Sequence, residues 1–201
     1  MGTSPRSDSF LRIRCGERVK YVVVSPADGP SPVCHAAGGS KKLTANTFEC
    51  VRKGQSVFSQ LHIAKIAYFE WEIPNIERET HIYRLLQQTD ITPRFLGHIH
   101  EEGRVIGFLP EKLDGVSAGI EHHSRCAEIL GRLHQVELLH GDVNRYNFIS
   151  GQSRTKMIDF EQCQKLQDRK LMESEILSLP SQLQDESGHG AGFPTDDEEE
   201  D

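Results

Sequence analysis

The sequence predicts an α+β fold, and three observations carry that expectation. The first half is built of short β-branched or alternating runs, interrupted by one amphipathic helix that begins at Pro74-Asn75. The stretch Ile120–Leu138 places Cys126, Ile129/Leu130 and Leu133 at helical spacing, the clearest such stripe in the chain. Between Leu138 and Phe160, two short apolar strands flank a turn at Gly151-Gln152, with acidic and amide residues at the strand ends.

In chain order, residues 1–16 read as loosely ordered, rich in Ser, Arg and Gly with little periodicity. Glu17–Val24 is a β-branched run and reads as a strand. The Gly- and Pro-rich segment from Ala27 to Ser40 reads as a loop. Its Gly38-Gly39 pair is the one candidate for cradling a phosphate, but no G-x-G-x-x-G occurs and a linker is the simpler reading.

Thr47–Lys53 and Val57–Phe69 continue the sheet. In the second, Ile63, Lys65, Ala67 and Phe69 share one face and His62, Ala64, Ile66 and Tyr68 the other. A lysine among apolar neighbours on a covered strand requires an anionic partner, because an unpaired buried charge is costly. The helix predicted over residues 75–88 offers one. Its apolar stripe is Ile76, Ile82/Tyr83 and Leu86, and Glu79 falls on that stripe rather than with Glu77, His81, Arg84 and Gln88. Glu79 as a solvated rim residue, and Lys53 in place of Lys65, stay open as alternatives.

Arg94–His100 and Arg104–Leu109 form a hairpin, after which Pro110–Gly115 leaves the sheet. The helix over Ile120–Leu138 leads directly into His140-Gly141-Asp142. A further helix is expected over Gln162–Leu179, stopped near Pro180. From Asp185 the composition is that of a disordered acidic tail: a solubilising end or, alternatively, a docking arm for a basic protein partner.

Composition narrows the function. The 201 residues suit one domain with tails, and the formal charge of −7 supplies no basic field for nucleic acid. Five scattered cysteines without a C-x-x-C point to reduced thiols and a cytoplasmic or nuclear setting. Ten histidines include the pairs His98/His100 and His122/His123, but neither has a third ligand at usable spacing. The apolar runs are too short to span a membrane, so no membrane partner is expected.

The chemistry concentrates in H-G-D-V-N-R-Y-N (His140 to Asn147) and I-D-F (Ile158 to Phe160). A hairpin that brings Asn147 and Asp159 together, with Asp142 beside them, suits a hard cation such as Mg²⁺. These motifs resemble the catalytic and metal-binding loops of the protein-kinase-like superfamily. With Gly141 after His140, they are closest in pattern to small atypical kinases such as RIO-type kinases and aminoglycoside phosphotransferases. The resemblance extends over Leu61–Gln164.

What the resemblance implies is specific. The fold would have two lobes: a small β-rich N-lobe over 17–113, holding the helix 75–88, and a reduced helical C-lobe over 114–180, with tails at 1–16 and 185–201. The activity would be transfer of the γ-phosphate of Mg-ATP to a hydroxyl of a protein or small molecule. Asp142 would orient and deprotonate that hydroxyl, and His140 would brace the loop. Asn147 and Asp159 would hold Mg²⁺. Lys65, fixed by Glu79, would bind the α- and β-phosphates, and Glu111 and Leu113 would lie at the adenine edge. Arg145 would meet the γ-phosphate or a substrate carboxylate.

Three departures stand out. The glycine-rich loop is missing, Glu161 replaces the usual glycine after Asp159-Phe160, and little chain follows to build a substrate-gripping subdomain. A nucleotide-binding pseudokinase scaffold and a kinase-derived interaction module are the alternatives.

Overall fold

The computed structural model describes residues 9–15, 18–26, 41–44, 46–51, 61–101 and 103–191. Gly38-Gly39, Lys53 and the acidic end from residue 192 onward lie outside these residues. Among the described residues the chain is α+β, with three α-helices and antiparallel sheets, in two compact units. The first unit takes the chain to Ile76 and adds Phe95–Lys112. The second takes Glu77–Arg94 and continues from Leu113.

The first unit is an antiparallel sheet of seven strands: β1 (Ser9–Cys15), β2 (Arg18–Pro26), β3 (Lys41–Lys42), β4 (Thr47–Val51), β5 (Leu61–Ile66), β6 (Phe95–Glu101) and β7 (Arg104–Pro110). Their spatial order is β1-β2-β6-β7-β5-β4-β3. Strand β1 departs from the loosely ordered segment expected over residues 1–16. The physical signal was present: Leu11 and Ile13 alternate with Arg12 and Arg14, the period of a strand, and β1 pairs with β2 from Ser9↔Val24 to Cys15↔Arg18.

The core of this unit is Phe48, Ala64, Ile66, Ile99, Ile106 and Leu109, with Tyr68, Ile73 and Leu96 packed against it. Alternation along β5 decides which side chains enter it. Ala64 and Ile66 join the cluster, while Lys65 takes the opposite face and is only 7% exposed. Strand β7 crosses β5 closely at Gly107. A Cβ there would come within 2.2 Å of the Lys65 carbonyl oxygen and 3.0 Å of the Ile66 Cα, so only glycine fits.

Among the described residues the second unit contains two complete helices, most of a third and five short strands. Helix α1 (Ile73–Leu85) crosses the boundary between the units along its own length, with its first turn assigned to the sheet. It starts two residues earlier and ends three earlier than the predicted 75–88. A 3₁₀ turn, Glu70–Glu72, leads into it, and the Glu72 carboxylate closes that turn by accepting from the amides of Tyr68 and Phe69 at 2.7 and 3.0 Å.

Helix α2 (His123–Gln135) buries Cys126, Ile129, Leu130 and Leu133, the predicted stripe. It ends where Glu137 turns left-handed at φ 61° and its amide reaches back to the His134 carbonyl at 2.9 Å. Strands β8 (Val116–Ser117), β10 (Phe148–Ser150) and β11 (Thr155–Met157) form one small sheet. Strand β9 (Leu138–Leu139) pairs with β12 (Gln164–Lys165).

Helix α3 (Arg169–Gln184) corrects the predicted helix over Gln162–Leu179 at both ends. Pairing with β9 keeps Gln164–Lys165 extended, and the helix waits for Asp168, whose side chain accepts from the amides of Lys170 and Leu171. Pro180 does not stop it. Leu179 and Leu183, one turn apart, are 0% and 1% exposed, and burying them outweighs the backbone bond lost at the proline. No described helix is long and apolar enough to cross a membrane.

Substituting Gly107→Ala should force β5 and β7 apart. A loss of about 1–3 kcal/mol in a denaturant titration is expected, as for other overpacked positions. A wild-type midpoint would mean that the strands can separate without cost.

Candidate functional site

The second unit brings the motif residues together through backbone pairing. Strands β10 and β11 are antiparallel, with Phe148 opposite Met157. The ladder continues one step further, where the Ile158 amide donates to the Asn147 carbonyl at 3.0 Å. The loop that enters β10 and the loop that leaves β11 are thereby fixed side by side. Asn147 closes the first and Asp159 opens the second.

The first loop is held by amide side chains. Asn144, which is buried, accepts from the amides of Tyr146 and Asn147 at 2.9 and 3.2 Å and starts the short 3₁₀ turn Arg145–Asn147. Asn147 Nδ2 donates to the Asp142 carbonyl at 2.8 Å and to the Asp142 carboxylate at 3.0 Å. These two bonds occupy the nitrogen end of the amide. Asp142 itself is half-buried.

Behind this loop lies His140, fully buried. Its Nε2 is 3.1 Å from the Ile158 carbonyl oxygen, which can only accept, so Nε2 carries the proton. Nδ1 is then free to accept from the Asp142 amide at 3.4 Å. Burial, above all, lowers the pKa of the imidazole below its ordinary value of 6.5, against the pull of the Ile158 carbonyl and nearby carboxylates. The ring is neutral at neutral pH, and it links the two loops by one bond to each.

Glu175 on α3 holds the entrance to the same loop. Its carboxylate accepts from the Gly141 amide at 2.6 Å, the His140 amide at 3.2 Å and His134 Nε2 at 2.8 Å. Burial pushes its pKa up, but the bonds from His134, Gly141 and His140 outweigh burial and hold the group below its ordinary 4.5. Gly141 has φ 83°, and a Cβ there would lie 2.5 Å from the Gln162 carbonyl oxygen, which explains why no larger residue follows His140. The motif alone does not reveal Glu175. The available signal is that Glu175, Leu179 and Leu183 share one stripe at four-residue spacing, so an acid faces inward.

The second loop carries a cluster of carboxylates. Asp159 takes a left-handed backbone at φ 62°. The Phe160 amide donates to Glu79 at 3.2 Å, and Arg78 donates to the Glu161 carbonyl at 2.7 Å. Glu79, Asp159 and Glu161 each offer one oxygen, and these oxygens lie within 4.8 Å of one another. Phe160 is buried, edge-on to Tyr83 at 5.7 Å and 5.1 Å from the His140 ring.

One carboxylate oxygen from each of Glu79, Asp159 and Glu161 is a hard donor, and the three could together hold a metal ion. Sequence reasoning marks Glu161 as a departure from the pattern, and here it joins the acidic group.

The other candidates sit as follows. Lys65 is buried on β5 of the first unit, and Glu79 is buried on α1. Glu111 is half-buried and forms an isolated antiparallel backbone bridge with His62 of β5, and Leu113 is half-buried at the start of the second unit's later segment. Comparison with known proteins assigns no family: no family model and no curated protein matches the chain.

Both shifted groups bind protons more readily in the unfolded chain, so stability falls as pH drops. The loss should begin below about pH 6.5, where unfolded histidine titrates, and deepen below pH 4.5 through Glu175. Replacing Glu175→Ala strands two amides, should cost about 2 kcal/mol at neutral pH, and should reduce the deeper acid limb. Chemical-denaturation midpoints measured from about pH 3 to pH 8 test both; an unchanged midpoint in Glu175→Ala would remove its bracing role.

Proposed function

We propose that this protein is an ATP-dependent phosphotransferase with a kinase-like two-lobe fold, moving the γ-phosphate of Mg-ATP to a hydroxyl on a protein or small molecule. The observation that supports this most is the Asp142–Asn147 bond at 3.0 Å beside the strand that leads into Asp159. A base, an amide oxygen donor and a second carboxylate are thereby gathered on two paired loops.

In this reading Asp142 accepts the proton of the attacking hydroxyl and orients its oxygen. Asn147 keeps the Asp142 carboxylate in place through Nδ2; its Oδ1 and the Asp159 carboxylate would hold the cation. Bound Mg²⁺ would neutralise charge on the phosphates being transferred. His140 stays neutral and fixes the loop by accepting from the Asp142 amide, so it shapes the site without exchanging protons with it. The proposal also assigns Lys65 to the α- and β-phosphates, and Glu111 and Leu113 to the adenine edge.

A second reading, a nucleotide-binding scaffold without turnover, is favoured by one observation. Glu161 adds a third carboxylate within 4.8 Å of those of Glu79 and Asp159, a charge density that would hold a cation tightly without serving transfer.

The two readings separate on Asp142. In the first, Asp142→Ala should lower Mg-ATP turnover by at least about 10²-fold, the usual worth of a general base, with nucleotide affinity preserved. Turnover that is absent from the wild type, or equal in the mutant, rejects catalysis and leaves the scaffold.

A further inference from the structure

The segment that follows α3 does not leave the loop. Asp185–Ala191 is organised by its own turns: Asp185 Oδ1 accepts from the Ser187 amide at 2.8 Å, Ser187 Oγ from the His189 amide at 3.3 Å, and the Gly188 carbonyl from the Ala191 amide at 3.0 Å. This strap reaches the loop at two points. Gly190 lies so close to Asn144 that a Cβ would come within 2.6 Å of its side-chain nitrogen. Arg145 meets the strap with one guanidinium nitrogen, 3.5 Å from the Asp185 carbonyl and 3.6 Å from the Glu186 carboxylate.

Both Arg145 contacts are long for hydrogen bonds to a guanidinium, which are strongest when short and bidentate. Arg145 Nε is buried without a hydrogen-bond partner. The Arg145 side chain is 21% exposed, whereas that of Glu186 is 86% exposed, and exposed ion pairs of this kind are weak. The result is a cation placed between Asp142 and Asn147 in sequence, sequestered, over the Tyr146 ring at 5.8 Å, with its Nε unpaired and a carboxylate loosely at its edge. The planar fork of arginine suits an anion with two oxygens, a carboxylate or a phosphate.

We propose that Arg145 selects an acceptor bearing a carboxylate or phosphate, and that the strap Asp185–Ala191, through Glu186, is an internal occupant of that position which such an anion displaces. The assignment of that anion to an acceptor rests on the phosphotransferase reading; the anion position itself does not. Glu186 acts by competition: it neutralises the guanidinium when no ligand is present and, being exposed and weakly held, yields to a better-shaped anion.

The test uses the full chain labelled with ¹⁵N, following the Arg145 Nε–Hε resonance during titration with inorganic phosphate and, separately, acetate. The resonance is identified by its loss in Arg145→Lys. In the wild type it should shift saturably with at least one anion, and the ratio of the two midpoints tells phosphate from carboxylate. Glu186→Gln, a change at an exposed site, should lower the midpoint by about twofold to fivefold, the range of a weak exposed pair. A resonance that moves with neither anion, or a midpoint unchanged in Glu186→Gln, overturns the proposal. Mg-ATP binding is measured in parallel: an Arg145 response without Mg-ATP binding keeps the anion position and rejects the phosphotransferase reading alone.

Discussion

The second unit depends on one desolvated carboxylate. Glu175 has been taken largely out of water, which is costly for a charge, and the protein offsets that cost with three donors: the amides of His140 and Gly141 and the ring of His134. The same bonds determine where the loop starts. With both amides pinned to α3, Gly141 takes a left-handed turn that no residue with a Cβ could make beside Gln162, and Asp142 follows in a defined place. A helix, a loop and the end of α2 are thus tied by one side chain.

From there the geometry propagates through the backbone rather than through long side chains. The Ile158 amide bonded to the Asn147 carbonyl sets the second loop against the first, and His140 joins them again by donating to the Ile158 carbonyl and accepting from the Asp142 amide. Asp159 then needs only its left-handed turn to bring its carboxylate to those of Glu79 and Glu161. Strain at one residue and a group of like charges are tolerated where the surroundings over-determine them, and such places are where function concentrates.

Much of this is legible in the sequence, for a physical reason. Alternation separates Lys65 from the core face of β5, and helical period places Glu79 inward, because both patterns are dictated by backbone geometry. The motif residues lie at strand ends, as their turn chemistry requires. What escapes is set by tertiary context. The strand Ser9–Cys15 is hidden in a polar segment whose arginines mask its alternation. Pro180 looks like a stop, yet Leu179 and Leu183 are buried firmly enough to carry the helix through it. Glu175 is hard to read because two of its three partners are backbone amides, which leave no side-chain pattern, and Arg145 meets a strap whose residues read as a tail.

In the proposed function, Asp159 holds a cation that brings nucleotide to the Asp142–Asn147 loop. The most direct measurement is the melting temperature of the full chain titrated with ATP, with and without Mg²⁺, for the wild type and Asp159→Ala. A ligand that binds only the folded state raises the melting temperature as its concentration passes Kd. The account predicts a rise that requires Mg²⁺ in the wild type and is lost in Asp159→Ala. No rise at millimolar ATP, or an equal rise in the mutant, would contradict it.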